Sequence, residues 1–266
     1  MSRLTALAVV DGRVMPADEA VIPVTDEGLL RGDGVFEVIR LYGGRPFALD
    51  EHLRRMARSA ANLRLEIDVR AVQSDAEALL AEAGPVDGAL RLLVTRGGRR
   101  VGIVEKLKSY DQPLALVSVE YVPPRVLDGI KSLSYGGNML ATRLAQEAGG
   151  DEALLVTPHG RVLEGPTSSL FASFDGETLV TPPLSERVLD SITRRHLLEL
   201  LPQVREEVVT RDELRRAREA FLASTTREVQ AVRSIDGDPL PEAPGPLTTA
   251  AAEAFSARVR EQFAGA

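Results

Sequence analysis

Two adjacent prolines, Pro123 and Pro124, lie near the middle of the 266-residue chain, in EYVPPRVLDG, directly after a strand-like run. A proline has no backbone N–H to donate to a β-ladder, so a strand cannot continue through them. The apolar content of 44% is enough to build two hydrophobic cores. The sequence therefore predicts an N-terminal domain over residues 1–121, a linker over 122–127 and a C-terminal domain over 128–266.

Both predicted domains mix strand and helix patterns. In the first, alternating apolar runs predict strands at 7–14, 34–42, 45–49, 90–95 and 114–121. Helical spacing predicts helices at 51–63 and 75–83. In the second, we predict strands at 153–157, 161–163, 170–174, 178–180 and 220–223, and helices at 138–148, 191–201, 212–218 and 248–262. The predicted fold class is therefore α/β, of the α+β type.

Composition narrows the range of functions. The chain has 39 acidic and 32 basic residues and a formal net charge of -7, with no block of like charges, so neither nucleic acid nor a membrane is the expected partner. It has no cysteine, which excludes disulfides, thiol nucleophiles and thiolate metal sites. The N-terminal MSRLTALAVVDGRV lacks the pattern of an export signal. A cytoplasmic protein acting on small molecules is predicted.

The familiar catalytic motifs are missing from the sequence. The three histidines, His52, His159 and His196, do not show a metal-ligand spacing, so no metal is expected. There is no Gly-x-Ser-x-Gly elbow, no Rossmann glycine pattern and no Gly-Lys-Ser/Thr ending of a phosphate loop. Hydrolase and dehydrogenase functions are therefore not supported.

Lysine is rare in this chain, with only Lys106, Lys108 and Lys131 among the 32 basic residues. Lys106 and Lys108 lie in the polar loop VEKLKSYDQ. Lys131 stands in DGIKSLSYGGNML, between a strand-like stretch and a glycine-containing turn that opens a helix. A lysine attacks carbonyls only when its pKa falls well below about 10.4. Lys131 is therefore either a nucleophile in a cleft or a lysine extended towards solvent at a domain edge.

Glu164 stands at a Glu-Gly-Pro turn in RVLEGPTSSLF, where one predicted strand stops and another begins. A buried carboxylate there could keep the ring nitrogen of a bound cofactor protonated. The alternative is an exposed turn carboxylate, the commoner state of a glutamate.

Three parts of the chain offer the groups that bind phosphate: backbone amides, hydroxyls and a cation. They are the helix start at Ile192 and Thr193, the triplet Ser224, Thr225 and Thr226, and Arg55 in the helix at 51–63. Asp190 and Ser191 can cap the first of these. Arg55 could equally belong to a solvated helix face.

Alternation along the strand 34–42 places four side chains on one face: Phe36, Val38, Arg40 and Tyr42. Arg40 among apolar neighbours could receive a substrate carboxylate or form an ion pair with a nearby glutamate. Arg99 and Arg100, in the loop TRGGRRVG, are predicted to be mobile alternatives for the same task.

Taken in order, these segments resemble the class IV aminotransferases, the fold-type IV pyridoxal-phosphate enzymes. That family includes branched-chain aminotransferase, D-amino-acid aminotransferase and aminodeoxychorismate lyase. The segments that show the resemblance are RGDGVFEVIRLY, the HLRRM helix, IKSLSYGGNMLATRLAQEAGGDEALL, the Glu164 segment followed by LVTPPL, VLDSITR and LASTTREVQAVRSIDG. The resemblance spans nearly the whole chain.

The resemblance implies a role for each of these residues. Lys131 would hold pyridoxal phosphate as a Schiff base, Glu164 would partner the pyridine nitrogen, and Arg55 would bind the phosphate. Ile192 and Thr193 would form the backbone phosphate cup, and Ser224, Thr225 and Thr226 would make the remaining cofactor contacts. It also implies a small N-terminal domain, a larger C-terminal domain and a homodimer. One departure from the family pattern, Asp190-Ser191 in place of Leu-x-Gly, predicts altered backbone geometry at the phosphate helix.

The implied activity is transamination between an amino acid and a 2-keto acid by a ping-pong mechanism, with Lys131 moving the proton. Three questions stay open on sequence grounds: the preferred amino acid, its handedness and the arginine that binds the substrate carboxylate. One alternative is pyruvate elimination by aminodeoxychorismate lyase, against which Val38 argues weakly, because the lyases tend to have threonine there. Another is a non-catalytic binding protein that retains the fold.

Overall fold

The computed structural model describes residues 6–264. Residues 1–5, which begin the segment inspected for an export signal, lie outside the described residues. The chain forms two compact units. Unit 1 contains the residues up to Lys108 together with Gly129–Tyr135, and unit 2 contains Ser109–Asp128 and the residues from Gly136 onward.

Unit 1 is built on an antiparallel six-stranded sheet with the order β2-β1-β6-β5-β3-β4. Its strands are β1 (Leu7–Val10), β2 (Arg13–Pro16), β3 (Gly34–Tyr42), β4 (Arg45–Pro46), β5 (Gly88–Thr95) and β6 (Arg100–Glu105). Its helices are α1 (Glu27–Arg31), α2 (Leu49–Asn62) and α3 (Val69–Ala83). Helices α2 and α3 cover one face of the sheet, where Ile39, Met56 and Leu79 are fully buried in a common core.

Unit 2 is built on a mixed eight-stranded sheet with the order β11-β10-β9-β12-β13-β7-β8, and β14 pairs with β13. Its strands are β7 (Leu114–Glu120), β8 (Glu152–Val156), β9 (Ser169–Ser173), β10 (Leu179–Thr181), β11 (Val204–Glu206), β12 (Glu219–Ser224), β13 (Glu228–Ile235) and β14 (Asp238–Pro239). Its helices are α4 (Gly136–Glu147), α5 (Ile192–Leu200), α6 (Arg211–Leu214) and α7 (Pro246–Ala264). Strands β9 and β12 are buried along their whole length, with Phe171 and Phe221 stacked at 4.8 Å between ring centroids.

The predicted α/β class is confirmed, and several elements differ from their predicted bounds. The strand predicted at 7–14 is a hairpin, because Asp11 and Gly12 have φ values of 49° and 87° and form a tight turn. The helix predicted at 75–83 begins at Val69, where the Asp68 side chain accepts the amide protons of Arg70 and Ala71.

Other elements were missed or overextended by the sequence patterns. Residues 161–163 form only isolated bridges, and the helix predicted at 212–218 is the short α6. The sequence did not predict α1, β6, β11, β13 or β14.

The domain limits of 1–121 and 128–266 stay a prediction, and the compact units divide the chain differently. Strand β7 belongs to unit 2 because it pairs in parallel with β8 and β13. The segment Gly129–Tyr135 belongs to unit 1 because Ser132 bridges to Val35 at the edge of β3.

Candidate active site

The backbone of Lys131 is held in unit 1 by hydrogen bonds to two elements. The amide N–H of Phe36 in β3 donates to the carbonyl oxygen of Lys131 at 3.1 Å. The amide N–H of Lys131 donates to Ser59 Oγ on α2 at 3.1 Å. Two residues further on, the Leu133 N–H donates to the Gly34 carbonyl at 2.9 Å. Lys131 is therefore anchored to the edge of the sheet.

The amine of Lys131 lies against two aromatic rings. Nζ is 4.3 Å from the centroid of the Phe36 ring and 5.4 Å from that of Tyr135. The two rings meet edge to face, with centroids 5.0 Å apart. Ring faces attract a cation and present an apolar surface to it. The side chain of this partly buried lysine thus holds its amine against the two rings.

The face of β3 predicted from alternation is the one that carries Lys131. Val35, Ile39 and Leu41 are fully buried in the core beneath α2 and α3, so Phe36, Val38, Arg40 and Tyr42 point to the opposite face. The guanidinium carbon of Arg40 lies 5.1 Å from the centroid of the Tyr42 ring.

Arg91 joins this face from the neighbouring strand. It lies directly opposite Val38 in the β3–β5 register, and residues paired in this way point to the same side of a sheet. Its guanidinium carbon is 5.9 Å from the Phe36 ring centroid, and its Nε and Nη2 atoms donate to Glu105 at 2.7 and 2.9 Å. Arg40 and Arg91 therefore both lie on the Lys131 face, Arg40 on the same strand as Val38 and Arg91 on the neighbouring strand.

Arg99 and Arg100 are both ion-paired at the β5–β6 turn. Arg99 Nη1 donates to Asp11 at 2.6 Å, and Arg100 Nε donates to Asp75 of α3 at 2.8 Å. Arg100 is paired with Val94, whose side chain lies in the helix-covered core, so Arg100 is on the face of the sheet away from Phe36. Phe36, Val38 and Arg40 thus share the face of β3 on which Lys131 lies, and Arg100 lies on the other face.

Arg55 projects from α2 into a buried ion-pair cluster. Its Nε and Nη2 atoms donate to the two carboxylate oxygens of Glu37 at 2.7 and 2.6 Å, and His52 Nδ1 lies 2.7 Å from the second oxygen. Glu37 and His52 are fully buried, and Arg55 is 5% exposed. Arg55 is therefore not part of a solvated helix face.

The charge state of this cluster follows from its contacts. Burial alone would raise the pKa of Glu37, but the positive charge and hydrogen bonds of Arg55, with the hydrogen bond from His52, lower it from 4.5 to about 2. Burial lowers the pKa of His52 despite its bond to Glu37, and the charges of Arg55 and Lys131 act in the same direction. At neutral pH the cluster is therefore a neutral histidine beside an ionised Glu37–Arg55 pair.

Glu164, in unit 2, is partly buried and bound to the backbone. Its Oε1 atom accepts the amide N–H of Leu189 at 2.9 Å, in the segment that leads to α5. Burial and, secondarily, the charge of Glu164 raise the pKa of Tyr121. The Tyr121 hydroxyl donates to Asn138 Oδ1 at 3.5 Å, and Asn138 Nδ2 donates to the Pro166 carbonyl at 2.9 Å. Glu164 thus lies in an ordered polar environment, not on an exposed turn.

The start of α5 has the features expected of an anion site. Ile192 and Thr193 are each 1% exposed, and the first amides of a helix have no acceptor within the helix. Ser191 Oγ accepts the amide N–H of Arg194 at 3.4 Å. Ser191 has φ -72° and ψ 135°, values open to any residue, so glycine is not needed here and the expected change of backbone geometry is not required.

Ser224 is the last residue of β12, and Thr225 and Thr226 lie with Arg227 in the turn that leads to β13. Ser224 is 8% exposed and its Oγ accepts the amide N–H of Arg227 at 3.4 Å. Thr226 Oγ1 lies 3.4 Å from the Tyr110 hydroxyl. The turn therefore carries hydroxyls within an ordered hydrogen-bond network.

Sequence reasoning missed Glu37, His52, Arg91 and Tyr135. Glu37 had a signal, because alternation places it on the apolar face of β3, where a carboxylate needs a buried partner. Arg91 had none, since only the strand register brings it beside Val38.

Two further features concern the described range. No set of three or more histidine, aspartate or glutamate side chains within residues 6–264 could bind a metal ion. No helix in that range has the length and apolarity to span a bilayer.

Most of the chain is similar in sequence to known proteins. Residues 34–235 match the profile of the family described as Amino-transferase class IV. The chain is 35% identical over 263 residues to a D-alanine aminotransferase of Bacillus licheniformis, covering 90% of this chain and 92% of that protein. It is 35% identical over 253 residues to a putative branched-chain-amino-acid aminotransferase of Methanocaldococcus jannaschii, covering 85% of this chain and 87% of that protein.

Solved structures show the same similarity. A fold IV transaminase from Curtobacterium pusillum superposes with a TM-score of 0.87 at 27% identity, covering 97% of this chain and 99% of that chain. A branched-chain amino acid aminotransferase of T.th. origin, complexed with N-(5'-phosphopyridoxyl)-L-glutamate, superposes with a TM-score of 0.86 at 27% identity, covering 95% of this chain and 93% of that chain.

Proposed function

Because this chain belongs to the class IV aminotransferase family, we propose that it transfers an amino group between a D-amino acid or a branched-chain amino acid and a 2-keto acid. Membership confirms the resemblance read from the motifs, and it makes the chain an aminotransferase. The two kinds of amino acid are the ones named in the relatives. The observation that carries the proposal is the amine of Lys131, anchored by its backbone and directed against Phe36 and Tyr135.

The cofactor is pyridoxal 5'-phosphate, and the residues of the chain fit it. The group needs an amine for its aldehyde, a carboxylate for its ring nitrogen and several donors for its phosphate. Lys131 supplies the amine and Glu164 the carboxylate. The buried amides of Ile192 and Thr193, at the positive end of α5, meet the requirement for phosphate donors. When bound, the cofactor supplies an electrophilic carbon and an electron-accepting ring.

We propose Lys131 as the proton carrier. A primary amine accepts a proton only in its uncharged form, and the Nζ atom of Lys131 is held at a defined position against the Phe36 and Tyr135 rings. In this role the free Nζ atom of Lys131 would take the proton from the substrate α-carbon. In the second half of a ping-pong cycle the same atom would return a proton to the α-carbon of the product.

Glu164 and the phosphate donors position the cofactor. Glu164, whose carboxylate is oriented by the Leu189 amide, would keep the pyridine nitrogen of the bound cofactor protonated. Ser224, Thr225 and Thr226 add hydroxyl and amide donors to those of α5. Arg55 would contribute a cation whose orientation is fixed and whose charge is partly offset by its pairing with Glu37.

The face shared by Phe36, Val38 and Arg40 is our proposal for the substrate side. Arg40 lies on the same strand face as Phe36, and the Arg91 guanidinium lies at the Phe36 ring, which makes these two arginines the first choices for the substrate carboxylate. Arg99 remains a proposal for the same task. Arg100 is the weakest of these proposals, because its side chain is bound to Asp75 on the opposite face.

A half-reaction tests the function and names the donor. The protein is loaded with pyridoxal phosphate, cleared of free cofactor and mixed with single L- and D-amino acids without a keto acid. The visible cofactor band is expected to convert to the near-ultraviolet band of the pyridoxamine form with one class of donor. Pyruvate release from aminodeoxychorismate without an acceptor would instead favour the lyase, and a band unchanged by every donor would contradict transamination.

We propose, on family grounds, a homodimer and a cytoplasmic location. Val21 and Val24, before α1, are 80% and 76% exposed, and Leu29 and Leu30 on α1 are each 57% exposed. Such neighbouring exposed apolar side chains are typical of a protein interface. Sedimentation velocity on wild type and on a Val24→Asp, Leu30→Asp variant tests the dimer, which the two aspartates are expected to weaken.

A further inference from the structure

Arg227 is a buried arginine that directly follows Ser224–Thr226 in the turn between β12 and β13, and the proposed function does not use it. It is 7% exposed. Its Nη2 atom donates to Glu152 Oε2 at 2.7 Å and more weakly to Thr167 Oγ1 at 3.4 Å, and Nη1 donates to Gln230 Oε1 at 3.2 Å. The guanidinium is thus bound on two sides by other parts of unit 2.

These partners connect the turn to the frame of unit 2. Glu152, on β8, also accepts the Thr142 hydroxyl of α4 at 3.2 Å. Arg227 therefore links the turn between β12 and β13 with both β8 and α4. An exposed ion pair would contribute little to such a link, but the Arg227 and Glu152 side chains are only 4% and 13% exposed.

A second path runs from Arg227 to the hydroxyl of the turn. The guanidinium lies over the Tyr110 ring, with its carbon 5.3 Å from the centroid. The Tyr110 hydroxyl lies 3.4 Å from Thr226 Oγ1. Through Tyr110, Arg227 thus influences a hydroxyl that the proposed function assigns to the cofactor.

We propose that Arg227 is a positioning residue that preorganises the Ser224–Thr226 turn for the cofactor phosphate. Its bonds to Glu152 and Gln230 and its contact with Tyr110 fix the turn before binding, so that the turn does not have to be ordered by the ligand. The inference rests on the proposed function, because it requires the turn to bind the phosphate of pyridoxal phosphate.

The test compares cofactor with and without its phosphate. Dissociation constants for pyridoxal phosphate and for pyridoxal are measured by absorbance titration for wild type, Arg227→Met and Arg227→Lys. Arg233→Met is the matched control, because Arg233 lies on β13 and is likewise paired with a carboxylate, that of Asp151, but its side chain is 49% exposed. Thermal unfolding of each cofactor-free variant reports whether it is folded.

Arg227→Met is expected to weaken the binding of pyridoxal phosphate at least about tenfold, which corresponds to a loss of about 1.4 kcal/mol of binding free energy. It should weaken the binding of pyridoxal less than about twofold. Arg227→Lys keeps the charge without the planar fork and should fall between Met and wild type. Arg233→Met should bind both compounds as wild type does. Tyr110→Phe, which removes only the hydroxyl near Thr226, should weaken the binding of pyridoxal phosphate a few-fold. This variant replaces Arg227→Met in the test if Arg227→Met does not fold.

An equal loss of affinity for the two compounds, or no loss of affinity for either, would show that Arg227 has a structural role only and would overturn the inference. An unchanged Tyr110→Phe constant beside an unfolded Arg227→Met would do the same. A wild-type protein that binds neither compound would reject the proposed function itself. A wild-type protein that binds both, with variants that do not discriminate, would reject only the inference.

Discussion

Replacing Glu37 by glutamine removes one charge from the middle of unit 1 while keeping the volume of the side chain. Glu37 is fully buried and accepts hydrogen bonds from Arg55 and His52. In the variant the buried Arg55 guanidinium keeps its charge and loses its counterion. An uncompensated buried charge is one of the few causes of large destabilisation by a single substitution.

Two independent routes give the expected magnitude. The pKa of Glu37 is lowered from 4.5 to about 2. Because a pKa shift of one unit corresponds to about 1.4 kcal/mol, ionisation of Glu37 increases the free energy of unfolding at pH 7 by about 3 kcal/mol. Breaking a buried ion pair by removing one partner costs about 3–5 kcal/mol. We therefore expect Glu37→Gln to lower the free energy of unfolding at pH 7 by about 3 kcal/mol.

The sign of the pH dependence follows from the lowered pKa. A carboxyl whose folded pKa is below its unfolded value stabilises the fold above the unfolded pKa, and that stabilisation is lost as the pH falls towards the folded value. The wild type therefore loses the Glu37 contribution between pH 4.5 and about 2, whereas the variant has none to lose. The difference between them should shrink to about 1 kcal/mol at pH 3.

Guanidinium chloride unfolding of the cofactor-free proteins, followed by circular dichroism at pH 7 and pH 3, measures both quantities. Glu105→Gln is the control, because the Arg91–Glu105 pair is 33% and 34% exposed and should contribute less than about 1 kcal/mol. A Glu37→Gln variant within about 1 kcal/mol of wild type at pH 7, or a difference that stays constant down to pH 3, would refute the reasoning.

Two further predictions concern the surroundings of Lys131 and of Glu164. Gly34→Ala should destabilise unit 1 by about 1–3 kcal/mol, because an added Cβ would lie 2.5 Å from the Val94 carbonyl oxygen and 2.6 Å from Leu133 Cδ1. Denaturant unfolding checks this, and unchanged stability would mean that the 129–135 segment can shift freely. Glu164→Gln should lower the raised pKa of Tyr121 towards its ordinary value, because it removes the secondary cause of the shift and leaves burial in place. The difference between the ultraviolet titration curves of wild type and variant measures this, and superimposable curves would contradict it.

The strand face beside Lys131 could be predicted from the sequence, because it follows from a local pattern. Strict alternation along β3 was enough to assign Phe36, Val38 and Arg40 to one face, because a strand turns each successive side chain to the other side. The scarcity of lysine directed attention to Lys131. The resemblance added roles that no spacing could supply.

Non-local pairing explains most of what was missed. Glu37 points to the face of β3 opposite Arg40 and pairs with Arg55 on α2, a partner that strand alternation alone does not indicate. The turn TRGGRRVG was read as a mobile loop, but Arg100 begins β6, whose pairing with β5 and β1 depends on residues far away in the chain. Register has no local signal when both faces of a strand are largely apolar.

The linker prolines also show the limit of a local signal. Pro123 and Pro124 follow the end of β7, and the predicted linker over 122–127 rests on that local break. The compact units follow long-range pairing instead, so β7 joins unit 2 and the Lys131 segment returns to unit 1.

The central claim is that Lys131 forms the covalent bond to the cofactor, and the presence of only three lysines in the sequence makes it directly testable. The protein is incubated with pyridoxal phosphate, reduced with borohydride, digested and mapped by peptide mass spectrometry. The account predicts the phosphopyridoxyl mass on the peptide that contains Lys131, and none in Lys131→Ala. Label on Lys106 or Lys108, or equal label in wild type and Lys131→Ala, would contradict it.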